Sequence, residues 1–325
     1  MNLDLTHEEI EFSQTVEDIC KRNFAIDQLR ASKGTINRLA WNVLGDSGVF
    51  GLCAPESISG LGLPISYAIV VCETMGRFLV PKPVIDSISL APHVREVLSG
   101  AWICSVTSES DGLVVVEHYS DIDALALYRS KGLELIDLTD LAVIGAQIPL
   151  DPLCPVGRLE DIPTGRVICK GAELTDFIYR HEILRSAYLV GIASQVLELA
   201  VQYAKSRNQF SRPIGSFQAI KHLLADGLVR AELARAQLYV AGVTFDEPEC
   251  GNLERAVYSA KLLATQAAVT NSRTAIQVFG GMGFTWEVDV HLFLKRALLV
   301  SGGLVSSEEC CELLAGSFYE ESLSD

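Results

Sequence analysis

The sequence predicts an α+β chain in which helices flank a small β-region, and the changing period of its apolar residues carries that expectation. Apolar positions recur at helical spacing to about residue 98. Short alternating or β-branched runs replace them from Ala101, and helical spacing returns from Glu173 to the end. The expected units are an N-terminal helical domain (1–99), a middle β-domain (100–172) and a C-terminal helical bundle (173–325). A chain of 325 residues, 49% hydrophobic and 21% charged, can bury two or three cores of that kind.

In the first unit, Thr6-His-Glu-Glu9 reads as a capping box opening a helix to about Arg22, with Ile10, Phe12, Val16 and Ile19 on its apolar side. Further helices are expected near Thr35–Asp46, Pro64–Leu79 and Val84–Leu98, with a Gly- and Pro-punctuated loop over 48–62. Strands are expected at Ala101–Thr107, Leu113–Glu117, Ala124–Arg129, Leu133–Asp137 and Arg166–Cys169, and Trp102-Ile103-Cys104 reads as core strand. The final helices are placed at about 173–206, 216–244, 252–279, 287–300 and 306–321. Asp246-Glu-Pro-Glu249 reads as a solvated acidic turn, and Ser306-x-x-Glu309 as a capping box.

Composition narrows the classes of function. A net charge of −15 argues against nucleic acid as a main partner and disfavours non-specific capture of a polyanion. The acidic start lacks the regions of a signal peptide, and charge or Gly interrupts the apolar segments short of a membrane span, so a cytoplasmic protein is expected. Nine Cys without C-x-x-C spacing or nearby paired His read as reduced core thiols, with no metal site expected.

One stretch organises the rest: Tyr203-Ala-Lys-Ser-Arg207-Asn-Gln209-Phe210-Ser-Arg212-Pro213-Ile214-Gly-Ser-Phe217-Gln218. Arg207 falls at the C-terminal end of a long apolar helix, and Pro213 and Gly215 break the chain before the next. A guanidinium fork, an amide and an aromatic at a helix junction suit a pyrophosphate with a flat ring system nearby. They equally suit an Arg closing its own helix terminus beside a core Phe. A second stretch is Ala275-Ile-Gln277-Val-Phe-Gly280-Gly281-Met-Gly283-Phe284. In their order and separation the two segments resemble the C-terminal signatures of the acyl-CoA dehydrogenases. The Pro55-Glu56…Gly60-x-Gly62 loop and Glu73-x-x-Gly76-Arg77 are similar to that family's N-terminal domain. The resemblance implies an N-terminal helical domain, a middle β-domain shorter than in full-length members, and a C-terminal four-helix bundle. It also implies that Arg207, Gln209, Phe210, Ile214, Phe217, Gln277, Gly280 and Gly281 hold the adenosine and pyrophosphate of an FAD bound mainly to a neighbouring subunit.

The family's own chemistry needs a carboxylate to remove the α-proton of an acyl-CoA while the β-hydrogen leaves as hydride to the flavin. Of the two places the family puts this base, one falls on Leu304, in Gly302-Gly303-Leu304-Val305-Ser306, and the other on His181, with Glu182 one residue later. Adjacent helical residues point about 100° apart, so Glu182 is a weak candidate. His181 reads chiefly as a polar residue at a helix start or subunit contact, although an imidazole can accept a proton. Glu287, Asp289 and His291 read as the first turn of a helix, the acids suiting its dipole, and Glu308 and Glu309 as weak candidates on the last helix. The family's Trp-Ile-Ser/Thr cradle for the flavin ring has no counterpart here.

The chain thus keeps what a subunit lends to its neighbour's FAD and lacks what its own site needs. This resembles the smaller, non-catalytic subunit of the heteromeric (α2β2) acyl-CoA dehydrogenases of actinobacterial sterol catabolism. It implies a homologous catalytic partner, a bulky acyl-CoA at that partner's site, and an electron-transfer flavoprotein or similar acceptor. The alternatives are a self-sufficient homomeric dehydrogenase with Glu182 or His181 as a displaced base, and a structural or regulatory protein with no flavin role.

Overall fold

The computed structural model describes residues 3–324 apart from 111, 130–131, 139–142, 147 and 160, with side chains to 317. Helix α1 (His7–Asn23) opens with the anticipated capping box: Glu9 N–H donates to Thr6 Oγ1 at 3.2 Å and Thr6 N–H to Glu9 Oε2 at 2.7 Å. A short α2 (Ile26–Ala31) follows. Helix α3 (Arg38–Asp46) starts later than Thr35 because Asn37 caps it, accepting from the N–H groups of Leu39 and Ala40. Helix α4 (Ile65–Arg77) has its first N–H, that of Ile65, bonded to the Asp246 carboxylate at 3.0 Å. Asp246 is therefore a long-range helix cap as well as part of the exposed acidic turn the sequence suggested. Helix α5 (Pro83–Leu90) is shorter than the expected 84–98, since Pro92 has no N–H to donate into the helix ladder, and a single 3-10 turn at Arg95–Val97 follows.

The middle of the chain forms a mixed sheet from β1 (Cys104–Ser110), β2 (Leu113–Glu117), β3 (Ala124–Arg129), β4 (Gly132–Asp137), β5 (Val143–Gly145), β6 (Val156–Leu159) and β7 (Arg166–Cys169). Their order is β5-β6-β2-β1-β3-β4-β7, with only the β1–β3 pair parallel. Strands β5 and β6 escaped the sequence reading because each is short and carries a glycine. The ring of Tyr119 lies against both Gly145 and Gly157, where a side chain would collide with it. Of Trp102-Ile103-Cys104 only Cys104 is strand; the Asp123 carboxylate accepts the Ile103 N–H at 2.7 Å just before β1 begins.

Helix α6 (Ala172–Ser206) leads the C-terminal helices, followed by α7 (Gln218–Asp246), α8 (Leu253–Phe279), α9 (Val290–Val300) and α10 (Ser307–Ser324). By length and composition α6 could cross a bilayer, yet 72% of its apolar window is buried inside the protein. It is the core helix. Helix α4 crosses it backbone to backbone: a Cβ on Gly76 would strike the Tyr188 carbonyl, and one on Gly191 the Glu73 carbonyl. The Glu73-x-x-Gly76-Arg77 segment thus has a packing role. Its two charged members also reach out, Glu73 accepting from Arg235 at 2.7 Å and Arg77 donating to Gln195 at 3.2 Å. On the other side, the buried Asn271 amide of α8 donates to the carbonyls of Ala193 and Gly227 at 3.2 and 2.9 Å, joining α6, α7 and α8.

Where these parts meet lies Arg296 of α9, fully buried. Its guanidinium donates to Asp151 Oδ2 at 2.5 Å, to the carbonyls of Leu79, Val80 and Leu153 at 3.0, 3.2 and 3.2 Å, and to the Tyr188 hydroxyl at 3.0 Å. Breaking a buried pair by removing one partner typically costs about 3–5 kcal/mol, because the other charge stays buried and unpaired. Arg296→Leu is expected to lower unfolding stability by about that amount. Urea unfolding monitored by circular dichroism checks this, and a loss below about 1 kcal/mol would show the junction to be dispensable.

Candidate functional site

The two C-terminal segments singled out in the sequence are adjacent in space. At the end of α6, the Arg207 N–H bonds back to the Tyr203 carbonyl at 2.8 Å, which terminates the helix. Its guanidinium does not close that helix: among the described residues it has no hydrogen-bond partner or ion pair, and the residue is exposed. The chain then makes a two-residue hairpin, β8 (Asn208–Gln209) against β9 (Arg212–Pro213), with Gln209 opposite Arg212. The Ile214 N–H donates to the Arg207 carbonyl at 2.8 Å and closes it.

Both residues of the turn, Phe210 (φ 52°) and Ser211 (φ 62°), are left-handed, a conformation that Asn-Gly adopts far more readily. The turn holds the Phe210 ring 87% exposed, edge-on to Phe217 at 6.2 Å. Ile214 and Phe217 are half-buried beneath it. The second segment ends α8. There Gln277 is exposed, Gly280 has φ 64°, and neither Gly280 nor Gly281 has any neighbour in the space a side chain would fill. The rings of Tyr203 and Phe279 stack at 4.0 Å with a 13° interplanar angle, and the Tyr203 hydroxyl reaches Met282 Sδ at 3.9 Å. These contacts fasten the end of α6 to the end of α8.

The two positions that the resemblance assigns to a base are built in the opposite way. Leu304 is 8% exposed, and its N–H donates to Glu182 Oε1 at 2.6 Å. The Glu182 carboxylate also accepts from Lys261 at 2.9 Å and from the Val305 N–H at 3.4 Å, while Lys261 donates on to the Gly302 carbonyl at 3.2 Å. Gly303 (φ 70°) must be glycine, since a side chain there would collide with both partners. Glu182 is fully buried. Burial alone would raise its pKa, but the Lys261 ammonium and Arg185 guanidinium outweigh it and hold the carboxyl below its ordinary range. It staples the 302–306 loop from inside.

His181 is likewise fully buried, with Nε2 3.0 Å from Asp86 Oδ1 and its ring stacked on Phe177 at 5.7 Å. Burial pushes its pKa down despite the carboxylate beside it. Asp86 in turn accepts the Val106 N–H at 3.0 Å and pairs with Lys82 at 3.3 Å, and Lys82 also pairs with Glu117 at 3.1 Å. Lys82, Asp86 and Lys261 were overlooked in the sequence. Their signal was a charge set among apolar neighbours, as in Val84-Ile-Asp86-Ser and Ser259-Ala-Lys261-Leu.

The Glu287–His291 run differs from the expectation. Helix α9 starts at Val290, so the acids precede it. Asp289 pairs with Arg30 at 2.6 Å, and His291 packs edge-on against Trp286 at 5.0 Å. Glu309 takes the anticipated capping role, accepting the Ser306 N–H at 2.7 Å. Leu304 and Val305 line an open cavity of about 580 Å³ with Tyr128, Ile178, Tyr258 and Leu313.

This combination of helices, a central sheet and further helices, with both signature segments joined at one end of the bundle, defines an acyl-CoA dehydrogenase, and the chain belongs to that family. Residues 6–94 match the model of the acyl-CoA dehydrogenase N-terminal domain and 177–308 that of the C-terminal domain. The chain is 31% identical to the acyl-CoA dehydrogenase IpdE2 of Mycobacterium tuberculosis over 310 residues, covering 91% of this chain and 92% of that protein. It is 32% identical over 284 residues to FadE34 of the same organism, covering 81% of this chain and 40% of that protein. Among solved structures, the Tcur3481–Tcur3483 steroid acyl-CoA dehydrogenase variant superposes with a TM-score of 0.84 at 22% identity, over 98% of this chain and 99% of that one. The ChsE4–ChsE5 complex of M. tuberculosis gives 0.81 at 22%, with the same coverage. At that identity the likeness speaks to the fold.

Two expected outcomes follow from the geometry. Ser211→Gly relieves a left-handed serine and is expected to raise stability by about 1 kcal/mol, read as an upward shift of the thermal midpoint. Because the folded pKa of Glu182 lies below its ordinary value, its contribution is fully present above the usual carboxylate range. It is lost as pH falls through the lower, folded value. Glu182→Gln should therefore lower stability at neutral pH and flatten the acid limb of stability against pH; an unchanged limb would mean that the ion pair does not form.

Proposed function

We propose that this chain is the non-catalytic subunit of a heteromeric acyl-CoA dehydrogenase, lending contacts to the adenosine and diphosphate of an FAD held by a homologous catalytic partner. The observation that carries this reading is the contrast between its two sites. Arg207, Gln209 and Gln277 are exposed donors without protein partners among the described residues. At the base positions stand an apolar Leu304, a buried His181 held by Asp86, and, beside it, a Glu182 committed to Lys261.

The donor set fits the group it would hold. A guanidinium, two amides and glycine backbone open on the side-chain side suit a diphosphate approached by backbone and fork. Phe210, Ile214 and Phe217 offer apolar surface for the adenosine. The flavin supplies the hydride acceptor of α,β-dehydrogenation; this chain's residues would bind and orient its distal half, while the partner removes the α-proton. The steroid name of one structural neighbour and the two-chain composition of another support a bulky acyl-CoA and a heteromeric partner. An electron-transfer flavoprotein or similar acceptor would reoxidise the complex.

Arg207→Ala removes a charge-assisted contact of about 1.5–3 kcal/mol and is expected to strip FAD from the assembled complex at micromolar concentrations. The deciding measurement is flavin content and mass of the chain expressed alone and with a homologous catalytic chain. A colourless product alone, turning into a yellow α2β2 assembly with about one FAD per heterodimer, is expected. A yellow homomer with one FAD per chain would overturn the reading in favour of a self-sufficient enzyme.

A further inference from the structure

We infer that Arg212, which neither signature assigns, is a second cation for the FAD diphosphate, working beside Arg207. The inference rests on the reading that this surface holds the dinucleotide, and it deepens that reading by one residue. Side chains two apart on a strand share a face, and so do directly opposed residues on paired strands. Gln209 lies opposite Arg212, and Ile214 bonds back to Arg207. Arg207, Gln209, Arg212 and Ile214 therefore belong to one face of the hairpin. Three of these four were implicated by resemblance, and the fourth is a cation.

Its surroundings hold Arg212 ready for an anion. The guanidinium carbon sits 4.2 Å from the centroid of the Phe217 ring, which fixes a long side chain that would otherwise wander. Arg212 is exposed, and among the described residues no carboxylate pairs with it, although the chain carries a net charge of −15. The stretch from Tyr203 to Ala225 holds Lys205, Arg207, Arg212 and Lys221 and no Asp or Glu. A diphosphate carries two negative charges, and a single guanidinium offers one.

The test is a flavin-fluorescence titration of the apo complex with FAD, across a salt series, for the wild type, Arg207→Gln, Arg212→Gln and Arg212→Lys. Arg212→Gln should weaken FAD binding about tenfold and make it less salt-dependent, leave the thermal midpoint of the apo complex unchanged, and be partly rescued by Arg212→Lys. Arg212→Gln within about twofold of wild type, with Arg207→Gln weakened, overturns this inference and leaves the subunit reading standing. If neither variant changes the affinity, the reading beneath it falls as well. Equal losses in Arg212→Gln and Arg212→Lys, accompanied by a lowered midpoint, would reduce Arg212 to a structural brace for Phe217.

Discussion

The guanidinium of Arg296 is where the early helices, the sheet region and the C-terminal helices meet. It reaches the carbonyls that follow α4, the Asp151-Leu153 segment that precedes β6, and the Tyr188 hydroxyl of α6. A planar fork can serve acceptors on several sides at once, which a lysine in the same space could not. Tyr188 also donates to the Val80 carbonyl at 2.6 Å, so the same turn is held twice. With that junction fixed, α6 has a defined position against both the sheet and α4. The ends of α6 and α8 are then fixed in turn, and with them everything at the surface that Arg207 and Gln277 present.

The chain treats its polar groups in two distinct ways. Inside, several charges form closed sets: Lys82 with Asp86 and Glu117, Glu182 with Lys261, and Arg296 with Asp151. Buried ionic groups of this sort add little net stability over well-packed apolar ones, but they demand one arrangement. The demand is clearest at the 302–306 loop, where one carboxylate holds two backbone N–H groups and an ammonium, over a glycine that leaves no room for a side chain. At the surface end of the bundle the opposite holds, with Arg207, Gln209 and Gln277 unmatched among the described residues.

Much of the fold was legible because local chemistry decides it. The Thr6–Glu9 and Ser306–Glu309 boxes, the strands β1 to β4 and β7, and the long C-terminal helices all declare themselves within a few residues. Where the sequence misled beyond such local boundaries, the deciding partner is distant in sequence. Asp246 caps a helix that begins at Ile65, Arg30 takes Asp289 away from α9, and Tyr119 hides two strands behind glycines. The candidate site divides along the same line. Its surface half lies in two short segments, each of them a visible run in the sequence. Its buried half depends on Lys261 meeting Glu182 and Asp86 meeting His181, pairings that no local pattern announces. The hairpin turn was also illegible, because Phe-Ser is an unfavourable pair for two left-handed positions.

The register of α6 with α8 has an electrostatic consequence. Glu182 meets Lys261 near one end, Asn271 bonds to Ala193 in the middle, and Tyr203 stacks on Phe279 at the other, so the two helices run parallel. Parallel helices add their dipoles, and two C-termini side by side amount to roughly one negative elementary charge at the end where the hairpin sits. Helix α7 runs back alongside them and returns about half a unit of positive charge through its N-terminus, which no side chain caps. The backbone alone would thus make this end mildly repellent to anions, in a protein already strongly negative. About half a unit of the four positive charges on Lys205, Arg207, Arg212 and Lys221 goes to offsetting that field, and the rest is left over to attract.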